Sequence, residues 1–327
     1  MTATLSCIRG APTDARPDPI VAARSWFAVQ AVTGATWWIA VLASAEIRVW
    51  TLGGWDPRIL VVPDLALFVG ASAIAARSGG RLAAAVAASW TTAATLALTV
   101  YGVVTGSAGW GVVLMSISAF GSLAAAATLW FGHVPTAWFF VGPFSFRVAD
   151  TASDGHHLRR SLGQLVVFWA TFFGLVPLLL VALEVRLRLD LAALDRWDVV
   201  AVGATTFVLG SAMGLWACVT MALDGHGTPL PAETARDLVL TGPYRYVRNP
   251  MAVAGAVQTV GIGLLIGSWT VIVVAVAGAL VWNTLIRPAE EADLRARFGD
   301  PYLRYCERVR CWVPVRPADS FRRRSGG

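Results

Sequence analysis

The chain has 327 residues, of which 56% are hydrophobic and only 14% charged, with a mean hydropathy of +0.63. This composition excludes an ordinary water-soluble globule, in which about a quarter of the residues are charged. All 26 basic residues are arginine against 20 acidic ones, and the surplus of +6 reflects loop placement and affinity for anionic lipid, so no nucleic-acid partner is implied.

Crossing about 30 Å of hydrocarbon as a helix takes roughly 20 apolar residues. After an N-terminal extension over residues 1–25, expected to be disordered and cytoplasmic, the first such run is Trp26 to Ala45. Next come a shorter and weaker run, Ile59 to Ala75, and two clear ones, Leu82 to Val104 and Trp110 to Phe131. These helices are rich in Ala, Gly, Ser and Thr, residues that allow close helix packing, and nothing in them suggests catalysis.

A polar connector follows over Gly132 to Ser161. It carries His133, Asp150, His156-His157 and Arg159-Arg160. Adjacent histidines point in different directions and no carboxylate stands four residues on, so a metal site is not indicated. The four cysteines show no zinc or disulfide spacing either. The domain division expected here is 26–155 for accessory helices and connector, 156–317 for a second membrane unit, and 318–327 for a basic disordered tail.

Two further spans are expected at Leu165 to Leu183 and Val199 to Leu223. The stretch from Met251 to Ile286 would extend roughly 50 Å as one helix, too long for one crossing, so it must bend. Gly267-Ser268 supplies the turn of a hairpin made of two short helices. The expected fold is an all-α, polytopic transmembrane helical bundle of about eight crossings, with short interfacial helices on the cytoplasmic side. With the N-terminus placed in the cytoplasm, the inward segments carry 21 arginines and the outward loops 5, the asymmetry that sets orientation. Both termini then face the cytoplasm of a bacterial-type inner (plasma) membrane.

The polar residues that bracket the hairpin are the candidate site. Before it stands Gly225-His226-Gly227-Thr228-Pro229, and then Gly242-Pro243-Tyr244-Arg245-Tyr246-Val247-Arg248-Asn249-Pro250. Asn249 is a good N-cap and Pro250 suits the first helical position, which accounts for those two but not for the tyrosines and arginines before them. Arginines beside a helix N-terminus make a place for a carboxylate or phosphate; equally, Arg245 and Arg248 would suit lipid headgroups. After the hairpin, Pro288 is expected to open a short helix with Glu290, Glu291 and Asp293 in its first turn, and Glu291 stands four residues before Arg295 for a surface ion pair. Asp300 is expected to cap a last helix with Tyr302, Tyr305, Cys306 and Val309 on one face, lying on the membrane surface. Because a hairpin returns the chain to its starting side, Arg245, Arg248 and Asn249 should come within reach of Glu290 and Glu291. Opposite charge clusters side by side suit a zwitterionic ligand.

From about Leu209 to Pro314 the sequence resembles the isoprenylcysteine carboxyl methyltransferase and phospholipid methyltransferase superfamily of integral membrane enzymes. The resemblance rests on the Gly-x-Gly-Thr-Pro element at 225–229, the Gly-Pro-Tyr-Arg-Tyr-Val-Arg-Asn-Pro-Met element at 242–251, Gly267-Ser268, Glu290-Glu291, and Phe298-Gly299 leading to Tyr302 and Tyr305. Related proteins often carry His where Asn249 stands and Tyr near Ala252, which leaves the acceptor open. The resemblance implies S-adenosylmethionine as cofactor, bound by residues drawn from His226, Tyr244, Arg245, Arg248, Asn249, Pro250, Gly255, Glu290, Glu291 and Tyr302. It implies methyl transfer to a membrane-embedded lipophilic acceptor, with Arg248, Asn249, Glu291 and Arg295 as the catalytic set and no metal. Arg248 or Arg245 suits the cofactor carboxylate, Glu290 or Glu291 its ammonium and ribose hydroxyls, Arg295 an acceptor carboxylate, and Glu291 the proton of an amine acceptor. The competing readings are an NADPH-dependent membrane reductase of sterol-reductase type and a non-enzymatic scaffold or transporter. Transporters tend to break helices at mid-membrane and to repeat them, whereas these polar clusters stand in one half only and near the membrane surface.

Overall fold

The computed structural model describes residues 18–135, 154–194, 196–228 and 235–315. All regular structure among these residues is helical. Residues 1–17 of the extension expected to be disordered over 1–25, the expected tail 318–327, Pro229 and most of the connector lie outside them, whereas 19–25 are helical, against that expectation.

Among the described residues, seven helices are long and apolar enough to cross a membrane. They are α1 (Pro19–Ala43), α3 (Pro57–Ser78), α4 (Arg81–Thr105), α5 (Gly109–Phe131), α6 (Gly155–Leu187), α7 (Trp197–Asp224) and α9 (Trp269–Phe298). A short α2 (Ala45–Leu52) joins the first two, α8 (Pro250–Leu265) is a shorter apolar helix, and α10 (Asp300–Arg308) is polar. The chain is an integral membrane protein. Outward faces stay apolar, with Phe120, Leu82, Val166, Val167 and Leu178 exposed, as lipid contact requires.

The first helix starts at Pro19, seven residues ahead of the expected Trp26, because the Asp18 side chain accepts from Ile20 N at 2.8 Å and Pro19 occupies the first turn. The α3 run, read as short and weak, is a 22-residue span. Its Pro63 stands inside the helix and the following Leu65–Gly70 segment is π-helical, so the chain absorbs the missing N–H without breaking.

The chain divides into two compact units. One comprises the described residues of Asp14–Pro135 together with Ala182–Asp190. The end of α6 joins the N-terminal unit. There Arg186 Nε donates to Val103 O at 2.6 Å and a terminal nitrogen donates to Val104 O, satisfying carbonyls at the end of α4. Buried Gln30 of α1 ties three helices, donating to Ser72 Oγ at 3.1 Å and accepting from Ser122 Oγ at 2.7 Å.

In the other unit α7 and α8 pack backbone to backbone. A Cβ on Gly203 would stand 2.5 Å from Leu265 N, and one on Gly261 would stand 2.6 Å from Phe207 N. No side chain fits at either contact. Buried Gln258 of α8 donates to Ser211 Oγ of α7 at 3.0 Å. Aromatic residues of α6 complete the packing, with Phe173 edge-on to Phe207 of α7 at 5.9 Å.

The hairpin turns at Gly267, φ +69°, and Ser268 caps the next helix by accepting from Val271 N at 3.3 Å. Its second arm corrects the expected pair of short helices. α9 runs unbroken to Phe298, with Trp282–Ile286 in π-helical register just ahead of Pro288. A proline ring clashes with the carbonyl four residues back, and the widened turn accommodates it. Pro288 therefore does not open a separate helix, and Glu290 and Glu291 belong to the spanning helix itself.

Candidate active site

Residues 225–315 gather around the N-terminus of α8. A left-handed residue, His226 at φ +48°, follows α7. Gly225 O accepts from Arg236 N at 2.7 Å and from Asp237 N at 3.2 Å, closing the loop that follows. His226 Nδ1 meets Asp237 Oδ2 at 2.9 Å. Gly242, φ +53°, seats a 3-10 turn (Gly242–Arg245) against Thr220 of α7; a Cβ there would stand 2.5 Å from Thr220 Oγ1. Thr241 Oγ1 donates to Asp224 Oδ2. The turn is thereby pinned to the end of α7 from two sides.

The turn buries Tyr244 among Ala217, Ala235 and Val239, with Met221 and Met251 alongside. Its backbone oxygen accepts from Tyr305 Oη at 2.5 Å. Its own hydroxyl is buried without a hydrogen-bond partner among the described residues. Burial, reinforced by Tyr305 and Glu290 nearby, pushes the phenol well above the ordinary tyrosine value, so it stays protonated.

Asn249 caps α8, its Oδ1 accepting from Ala252 N at 3.0 Å while Nδ2 donates to Glu290 Oε2 at 3.4 Å. The guanidinium of Arg248 stands 3.2 Å from Glu291 Oε1, and both side chains are largely buried. The hairpin therefore brings Arg248 and Asn249 to the two glutamates as expected.

Arg245 is a correction. It points to solvent, donates to Tyr246 Oη at 2.5 Å and stacks 4.8 Å from that ring. In a 3-10 turn neighbouring side chains diverge, so burying Tyr244 turns Arg245 outward. The expected Glu291–Arg295 pair is a second correction. Glu291 accepts instead from Arg287 Nε at 2.8 Å, one turn back, as well as from Arg248. Arg295 is left with a buried Nε that has no partner among the described residues.

Arg287, Asn283 and Trp312 were not singled out from the sequence. Arg287 also donates to Asn283 Oδ1 at 2.9 Å, and Trp312 Nε1 reaches the same oxygen at 2.8 Å. The run Asn283, Arg287, Glu291 at four-residue spacing is a signal that helix periodicity offers; Trp312 had none, since its contact is long-range.

The C-terminal segment closes over the site. Arg248 N donates to Arg310 O at 2.9 Å and Val315 N to Tyr246 O at 3.0 Å. The expected face of α10 forms, with Tyr302, Tyr305 and Val309 buried. It packs on Leu238, Leu240, Leu294 and Phe298, so protein covers this face where a membrane surface was expected. Gly299, φ +55°, stands at the N-cap and Asp300 is already in the first turn without a capping bond, which moves the expected cap back one residue. Cys306 lies against both Arg248 and Tyr302. Pro250 is buried at the start of α8, and a Cβ on Gly255 would meet nothing within 4 Å.

These groups fit a zwitterionic cofactor with hydroxyls. Two buried donors, the Tyr244 hydroxyl and Arg295 Nε, lack partners among the described residues, a costly condition that a bound ligand relieves. Glu290 makes one long hydrogen bond and retains acceptor capacity for an ammonium or hydroxyl. Among the described residues no group of three or more metal-ligating side chains is assembled.

Residues 199–301 match the model of the family described as phospholipid methyltransferase. The match spans α7, the 3-10 turn, α8 and α9, and ends before Tyr302. No curated protein and no solved structure matches the chain.

Proposed function

We propose that residues 199–301, which match the phospholipid methyltransferase family, form an S-adenosylmethionine-dependent site around Asn249 and Glu290 that transfers a methyl group to a lipid-like acceptor held in the bilayer. The observation that carries this reading is the joining of two half-sites, Arg248–Glu291 and Asn249–Glu290, beside two buried donors that lack partners. The cofactor supplies an electrophilic methyl on a sulfonium whose charge is lost as the methyl leaves. Alignment and exclusion of water then matter more than proton transfer.

Each residue has a role in this proposal. Glu290 holds the cofactor's ammonium or ribose hydroxyls, with the Tyr244 hydroxyl donating to a second cofactor oxygen. Asn249 orients Glu290 and starts α8, and Pro250 fixes that start. Arg248, anchored by Glu291, presents a fixed guanidinium to the cofactor carboxylate. Arg295 orients an anionic group of the acceptor, a phosphate or carboxylate. His226, Gly255 and Tyr302 border the cofactor, His226 from its exposed loop and Tyr302 from beneath Arg248. Where the acceptor is an amine, Glu291 is the group nearest to take its proton. The arginine asymmetry supports a site on the cytoplasmic face, with the cofactor entering from water and the acceptor sideways from lipid.

The test is to incubate membranes containing the protein with methyl-labelled cofactor, extract the lipids and identify the labelled species. Label in the lipid fraction is expected for the native chain. No label above that of a Glu290→Gln/Glu291→Gln double variant, present in membranes in equal amount, overturns the proposal.

A further inference from the structure

A second polar feature lies in the N-terminal unit, apart from the methyl-transfer residues. Asp64 stands within the α3 span. Its Oδ1 accepts from Trp90 Nε1 of α4 and its Oδ2 from Trp38 Nε1 of α1, both at 2.7 Å. The side chain is half-buried and pairs with no cation among the described residues. Clamping three helices together needs no charge. In the same unit the neutral amide of Gln30 does that work for α1, α3 and α5. A carboxylate at membrane depth is expensive and marks a functional site by default.

Trp90 is shared with an open apolar groove of about 420 Å³, whose other lining residues are Leu67, Ala85, Val86, Ser89 and Ala93. Leu67 follows Asp64 by three residues, on the same side of α3. Trp90 thus links the carboxylate to the groove. Each Asp64 oxygen keeps acceptor capacity after its indole bond.

We infer that the N-terminal unit binds a membrane amphiphile with a cationic amine head, its head against the Asp64 carboxylate and its chain in the groove beside Trp90. The site stands independently of the methyl-transfer proposal.

The test uses the full chain in lipid nanodiscs and three photoreactive probes, with crosslinks mapped by peptide mass spectrometry. One probe is a long alkyl chain ending in a primary ammonium, another the same chain ending in a hydroxyl, and the third a short-chain amine. The long amine is expected to label residues 64–67 and 85–93 saturably. Asp64→Asn should lower that labelling about tenfold, the effect of losing one charged contact. Ser89→Phe, which fills the groove without touching the carboxylate, should lower it as well and serves alone if Asp64→Asn does not yield monodisperse protein. Equal labelling by the long alcohol, or labelling unchanged in both variants, overturns the inference in favour of a generic apolar surface. Labelling by the short amine as strong as by the long one also overturns it, since the chain then contributes nothing.

Discussion

Tyr244 and the two glutamates show how residues of similar type take different parts at close quarters. Glu291 spends its charge on Arg248 and Arg287, whereas among the described residues Glu290 accepts a hydrogen bond from Asn249 alone, at 3.4 Å. Removing the charge of each should therefore give different phenotypes. Glu290→Gln is expected to weaken S-adenosylhomocysteine binding by roughly tenfold to a hundredfold, the worth of a charged hydrogen bond, with little change in melting temperature. Glu291→Gln should destabilise the protein, because breaking a buried pair from one side costs about 3 kcal/mol or more. Calorimetric binding and thermal melts of both variants check this; equal effects would contradict the assignment. Tyr244→Phe deletes a hydroxyl that no described residue satisfies. The fold should keep or slightly raise its melting temperature while cofactor affinity falls by about 1 kcal/mol, or fivefold. A variant that binds normally removes Tyr244 from the site.

At the scale of elements, the site depends on where α8 begins and where α9 ends. The α7–α8 contact sets the first, because Gly203 and Gly261 allow backbones to touch and so fix the height of Asn249 against α7. Gly203→Val should force α8 away, costing about 1–3 kcal/mol of stability from overpacking and a larger loss of methyl transfer. Melts in detergent together with the lipid-labelling assay measure both; activity unchanged at lowered stability would separate this contact from the site. The π-helical turn at Trp282–Ile286 sets the second, carrying Glu290 and Glu291 onto the face toward α8 without a break at Pro288. Much of this was legible in the sequence. Asn249-Pro250 as a helix start and Gly267-Ser268 as the hairpin turn were readable because capping and turn chemistry are local. The continuity of α9 was not, since Pro288 reads as a helix opener until the preceding turn is known to be widened. Nor was the outward turn of Arg245, which depends on Tyr244 being buried against α7.

At the scale of the whole molecule, α10 and its neighbours make the C-terminal unit sensitive to alkali. Burial pushes the phenols of Tyr244, Tyr302 and Tyr305 above the ordinary value of 10.0. In the unfolded chain they ionise near that value, while the folded site keeps them neutral. The folded state therefore binds more protons above about pH 10, and stability falls as pH rises. Melting temperature should be flat in this respect below pH 10 and decline above it, more steeply than in a Tyr302→Phe variant; parallel curves would contradict the burial argument.

Composition and the spacing of apolar runs determined by themselves that this is an integral membrane protein with a hairpin near its end, because a bilayer demands about 20 apolar residues per crossing whatever surrounds them. A series of short motifs in order carried the resemblance to a family whose model matches residues 199–301. Only the tertiary structure decided which glutamate is spent on arginines, that Tyr244 and Arg295 keep buried donors without partners, and that Asp64 is held between two indoles. The pairings Arg248–Glu291, Asn249–Glu290 and Asp64 with Trp38 and Trp90 join residues distant in the chain, and no local propensity encodes which of several nearby groups a side chain will meet once helices pack.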